Sequence, residues 1–200
     1  DVLLRGPADD VITVGGRPGM MQVFNSAGEL RHVPVPEGRT TATWVGDLVA
    51  VTTDSGVIFA DATGRQKPPV KFVKVRGNPV VSTFAPSGHR LYVALRNGTI
   101  VMLDRFTHSK LGALELPRPV DRLRVDRSGR WLLAHATRGD SLWVIDLARS
   151  VVATTQVAPW SEDLPQVADG TTLLLRSRAD LVGIDLASTS TPQRSILIGG

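Results

Sequence analysis

The chain has 200 residues, 42% of them apolar, with no cysteine and a formal charge of +4 at pH 7. That length suffices for one sizeable core, and the lack of cysteine excludes disulfides, thiolate zinc sites and cysteine nucleophiles. No apolar run reaches the roughly 18 residues a membrane-spanning helix needs.

The pI near 10.1, carried mostly by arginine, suits acidic proteins, anionic lipid headgroups or nucleic acid without choosing among them. No charged-then-apolar leader is visible. The start at Asp1 rather than Met is compatible with a leader, an anchor or a larger region before it.

In chain order, the apolar residues form short runs closed by turn residues. "DVLLRG" opens the chain as an inner strand. The run "MMQVFNSAG" then closes on Asn25, "GVIFADATG" on Asp61, "TIVMLDRFT" on Asp104, "LWVIDLA" on Asp146 and "LVGIDLAST" on Asp185, in steps of 36, 43, 42 and 39 residues. One strand earlier a glycine recurs, at Gly88 in "PSGHRLYV", Gly129 in "RSGRWLLA" and Gly170 in "ADGTTLLL", in steps of 41 and 41. Between them lies a third turn: "GRPGM", "DSG", "RNG", "RGD" and "RAD".

Each unit reads as four strands. The third has "VVSTFAP", "RLYVALR", "TIVMLDR" and "LGALELP"; the fourth has "VDRLRVD", "RWLLAHA", "SLWVIDL" and "VVATTQVA". Strands are expected near 91–95, 99–104, 131–136 and 142–146. Asn97-Gly98 supplies the positive φ of a tight hairpin turn, and an Asp or Asn after the third strand can accept backbone N–H groups two residues on. No helical period runs for ten residues, apart from a weak one over 147–153.

A four-stranded antiparallel unit of about 40 residues is the blade of a β-propeller, and such sheets bury both faces only by stacking on neighbours. "APSGHRLYVALRNGTIVMLD" and "DRSGRWLLAHATRGDSLWVIDLA" resemble blades of the bacterial YVTN-type and WD-repeat-like propellers. The resemblance covers essentially the whole chain. It implies a single all-β propeller domain of four-stranded antiparallel blades at about 1–37, 38–77, 78–118, 119–159 and 160–200. Five blades are then visible, as a five-bladed ring or as part of a larger one, with no strand exchange between the termini. The Trp-Asp ending of WD repeats reads Ile145-Asp146 or Leu103-Asp104 here, and no Gly-His pair precedes the first strand, so their side-chain network is not expected.

Chemistry-bearing motifs are sparse. Arg138-Gly139-Asp140 falls on the turn that Arg96-Asn97-Gly98 occupies one unit earlier, so it reads as turn chemistry rather than a receptor address. His32, His89, His108 and His135 share no metal-ligand spacing and read as structural imidazoles, with His135 partly buried in its strand. Asp9-Asp10 and Glu162-Asp163 are paired carboxylates in loops, and no GxSxG, P-loop or GxGxxG occurs. Trp131 and Trp143 sit in strands and read as core, whereas Trp160 lies in the loop "VAPWSEDLP".

The run "RQKPPVKFVKVRGNP", residues 65–79, holds five cations and no acid: Arg65, Lys67, Lys71, Lys74 and Arg76. It maps to the outermost strand of the second blade. Edge lysines guard against edge-to-edge pairing, and they also suit an acidic protein partner or an anionic lipid surface. Aromatics make up 5% of the chain and none is read as interleaving these cations in the way a stacking platform requires, so a nucleic-acid partner is not expected.

The sequence offers scaffold without a catalytic constellation. The expected function is a non-enzymatic interaction or scaffold module, an accessory subunit of a bacterial envelope or membrane-associated complex, with no cofactor. Its partner would dock on Arg65, Lys67, Lys71, Lys74, Arg76 and Trp160. An Arg- and Ala-rich, Lys-poor composition and the YVTN-type resemblance place it in the periplasm or at the cell surface. The alternative is a lactonase-like propeller hydrolase with a metal in its central channel.

Overall fold

The computed structural model describes residues 2–5, 11–17, 19–24, 28, 30–34, 41–46, 48–61, 70–178, 180–187 and 194–198. Among them the secondary structure is all strand. The first sheet contains β1 (Val2–Arg5), β2 (Val11–Arg17), β3 (Met20–Phe24) and β4 (Leu30–Pro34). The second contains β5 (Thr41–Val45), β6 (Leu48–Thr53), β7 (Gly56–Asp61) and β8 (Val70–Lys74), and the third β9 (Pro79–Phe84), β10 (Arg90–Leu95), β11 (Thr99–Asp104) and β12 (Lys110–Glu115). The fourth contains β13 (Arg122–Val125), β14 (Trp131–Ala136), β15 (Ser141–Asp146) and β16 (Val151–Val157), and the fifth β17 (Gln166–Ala168), β18 (Thr172–Ser177), β19 (Asp180–Asp185) and β20 (Arg194–Ile198). Within each sheet the strands pair in sequence order, all antiparallel.

The turns explain the repeat. Gly88, Gly129 and Gly170 have φ of 71°, 76° and 70°, a left-handed conformation that glycine adopts without strain. The same bonds close the loop in two sheets: Gly88 N–H donates to Ala85 O and Ala85 N–H to Arg90 O, as Gly129 does to Asp126 and Asp126 to Trp131. After the third strand of a sheet, the aspartate carboxylate caps the next turn. Asp104 accepts from Phe106 and Thr107 N–H, Asp146 from Ala148 and Arg149 N–H, and Asp185 from Ala187 N–H. Such Asx turns fix where each outer strand starts.

Residues 147–150 form a turn and β16 begins at Val151, so the weak helical period over 147–153 does not become a helix. The Asp146 cap and the positive φ of Ser150, 57°, break the helical path, and the β-branched Val151 and Val152 favour strand. Arg138-Gly139-Asp140 lies in the β14–β15 hairpin turn, with φ of 88° at Gly139 and 47° at Asp140.

Burial grades across the third and fourth sheets. β10 and β14 are buried nearly throughout, whereas β12 and β16 are mostly exposed. Middle strands are covered on both faces, which requires neighbouring sheets to stack. The chain divides into two compact units, Asp1–Pro119 and Val120–Gly200. In the first, one core cluster joins Ala50, Val57 and Phe59 of the second sheet to Phe84, Leu91, Val93 and Leu103 of the third. In the second, Trp131, Leu133 and Val144 of the fourth sheet pack with Leu173, Leu175 and Ile184 of the fifth.

Candidate interaction site

The basic segment sits where an outer strand leaves it open. β8 pairs on one side with β7, placing Lys74 opposite Gly56, Phe72 opposite Ile58 and Lys71 opposite Phe59. Its other edge has no strand partner among the described residues. Lys71, Lys74 and Arg76 are all exposed, and among the described residues none forms an ion pair. Strand alternation puts Lys71 on one face and Phe72 and Lys74 on the other.

Phe72 is 47% exposed, an aromatic standing among cations. Its ring lies over Gly56, where an added Cβ would come within 2.8 Å of the ring and 2.3 Å of the Val73 carbonyl. Gly56, with no side chain, therefore leaves room for the ring. Its signal in the sequence is its place in "VKFVK", between Lys71 and Lys74.

On the Lys71 face, the buried Phe59 ring meets the His108 imidazole edge-on at 4.9 Å. His108 ends the β11–β12 turn with φ of 59°, and its Nδ1 is buried without a hydrogen-bond partner. Burial, and then the nearby Lys71 ammonium, holds the imidazole below its ordinary value near 6.5, against the pull of Asp104. The native imidazole thus resists protonation, and the unfolded chain takes up the proton first as the pH falls. Stability from this group is complete above about pH 6.5 and is lost as the pH falls from there toward the lowered native value. Thermal melts between about pH 7.5 and 5.5 are expected to show that loss. His108→Asn keeps the left-handed backbone and should flatten the slope; an unchanged slope refutes the assignment.

Arg65 and Lys67 lie outside the described residues, as do Asp9 and Asp10. Trp160 belongs to the other compact unit. It occupies the loop before β17, as expected, but is half-buried against the core of that unit. The Arg124 guanidinium lies over its ring at 4.7 Å, and the His135 ring lies 5.5 Å away. Arg124 also donates to the carbonyls of Pro165 (2.6 Å), Ser161 (3.0 Å) and Glu162 (2.6 Å), clamping the loop. Burial lowers the guanidinium pKa from its ordinary value, partly offset by Asp163 and Glu162. Beside this clamp runs an open cleft of about 820 Å³, lined by Arg124, Asp126, Arg127, Glu162, Asp163 and Asp169 among others.

His135 is fully buried rather than partly so. Its Nε2 lies 2.9 Å from the Ala158 carbonyl and 3.7 Å from the Asp140 carboxylate, and its Nδ1 has no partner. Glu162 and Asp163 are solvent-exposed loop residues. Among the described residues, no three His, Asp or Glu side chains stand together as a metal-binding group.

No protein-family model and no curated protein sequence matches the chain. Its fold is similar to that of solved structures. Kuenenia stuttgartiensis hydrazine synthase aligns with a TM-score of 0.70 at 16% identity, over 98% of this chain and 64% of that one. The β-propeller domain of Myceliophteria thermophila Cps50 (Swd1) aligns at 0.71 and 16%, over 97% and 70%. A chain of the mitotic checkpoint complex aligns at 0.70 and 15%, over 96% and 64%. The fold is a β-propeller whose blades are the four-stranded antiparallel sheets. The chain spans about two thirds of the length of each of these chains.

Proposed function

We propose that this chain is a non-enzymatic protein-interaction module that meets an acidic partner along the β8 edge. One observation carries the reading: exposed Phe72 stands between exposed Lys71 and Lys74 on an open outer strand, with Arg76 next. An exposed aromatic on a strand that carries cations on both faces supplies both halves of a docking site, apolar area for affinity and charge for steering. The likeness to a chain of the mitotic checkpoint complex supports a role within an assembly. Hydrazine synthase is named for an enzyme, but 16% identity carries the fold and no chemistry. The finer reading is a YVTN-type accessory subunit of a bacterial envelope or membrane-associated complex, at the periplasmic face or cell surface. It rests on the composition and blade patterns above.

The test is charge reversal read against salt. A labelled poly-glutamate peptide is expected to bind the full chain, more weakly as salt shortens a Debye length of about 8 Å. Lys71→Glu with Lys74→Glu should weaken binding about tenfold or more and flatten its salt dependence, with an unchanged melting temperature. Equal affinity and equal salt slope in the double variant would reduce β8 to an edge guard. Binding only to phosphatidylserine vesicles would assign the strand to headgroups instead. Metal-dependent lactone hydrolysis by the purified chain would defeat the non-enzymatic reading.

A further inference from the structure

An outer strand presents a row of unpaired backbone N–H and C=O groups, which proteins guard with charge or proline. Four of the five outer strands are guarded in this way: "LRHVP", "VKFVK", "KLGALE" and "RSILI". The fifth, β16, reads "VVATTQV" and carries neither charge nor proline over its seven residues. It is also well exposed, with Val151 at 50%, Val152 at 43% and Val157 at 73%, the last being the most exposed large apolar side chain among the described residues. β15 covers one of its edges, and no described strand covers the other. Ala153 is a bulge residue against β15, and β12 carries the same irregularity at Leu111 beside its charges, so the bulge is not particular to β16.

We infer that β16 pairs edge to edge with β16 of a second copy of this chain, antiparallel and centred on Thr154. The strand is complementary to itself in that register. Val151 of each copy faces Val157 of the other, Val152 faces Gln156, Ala153 faces Thr155, and the two Thr154 residues meet at the axis. Valine pairs and threonine pairs are favourable across strands, and no like charges oppose each other. A two-fold axis through Thr154 makes the antiparallel pair symmetric, so both copies make the same contacts. One such edge buries less than the roughly 1,200 Å² of a stable standard interface, so the dimer is weak and reversible. The contact is isologous and closes on itself, leaving a dimer rather than a fibre.

Sedimentation equilibrium of the full chain over a roughly hundredfold concentration range should show a monomer–dimer equilibrium. Val157→Lys alters a side chain that is mostly in solvent. It should weaken dimerisation about tenfold or more while circular dichroism and melting stay as in the parent chain; Thr155→Lys, also exposed, should do the same. Mixing the Val157→Lys chain with a Val151→Glu chain should restore association, because the register sets those positions opposite each other. A parent chain that stays monomeric over the range overturns the inference, whether or not it binds an extended peptide instead. So does a Val157→Lys chain that dimerises as its parent does, and failure of the mixture overturns the antiparallel register.

Discussion

Trp131→Ala should lower stability by about 3–5 kcal/mol, the usual cost of emptying a large aromatic site in a core. Trp131 is 1% exposed and opens β14 within the cluster that joins the fourth and fifth sheets. Its Nε1–H donates to the Gly170 carbonyl at 2.7 Å, linking the two sheets at their first turns. The Arg130 guanidinium lies over the ring at 4.6 Å and covers its outer face. Alanine would leave a cavity between sheets whose strands are fixed by their own ladders and cannot close on it. Trp131→Phe keeps most of the apolar surface and should cost less, since the Gly170 bond, worth about 1 kcal/mol, is the main loss. Urea unfolding followed by circular dichroism measures both. Equal midpoints for the alanine variant and the parent chain would show that the two sheets do not depend on this side chain.

The second large effect is at Arg124. Its guanidinium donates to three backbone carbonyls of the 161–165 loop and stacks on Trp160. Charge-assisted bonds are worth more than neutral ones, but one side of this group faces water, so the total is discounted to about 2 kcal/mol. Arg124→Ala removes every bond at once and should open the loop to limited proteolysis near Glu162. Arg124→Lys keeps the charge yet lacks the planar fork that reaches several carbonyls together, so it should restore less than half of the loss. If lysine protects the loop fully, the clamp is a matter of charge alone. In either variant Trp160 should become more accessible to a fluorescence quencher.

Much of the fold was legible because the signals that write it are local. A glycine at 88, 129 and 170 marks a turn that needs positive φ, and an aspartate at 104, 146 and 185 caps the turn that follows. Both devices act within about five residues of themselves, so their spacing survives in the sequence as a period. The basic strand was also legible, since Lys71 and Lys74 fall on an outer strand in the count of four. Its aromatic, Phe72, was not: a phenylalanine in a valine-rich run reads as core until the strand is known to lack a covering neighbour.

What the sequence by itself determined is therefore the unit: four strands, their turns, and which of them lies outermost. Only the tertiary structure decided what joins one sheet to the next. The buried bond from Thr52 Oγ to Ser82 Oγ, 2.6 Å long, links the second sheet to the third, and that from Trp131 to Gly170 links the fourth to the fifth. The burial of His135 and the stacking of Arg124 on Trp160 belong to the same class. The partners in these contacts lie 20 to 40 residues apart, about half a repeat to a full one. No turn or strand pattern specifies them, because they depend on how far side chains from separate strands reach once the sheets have stacked.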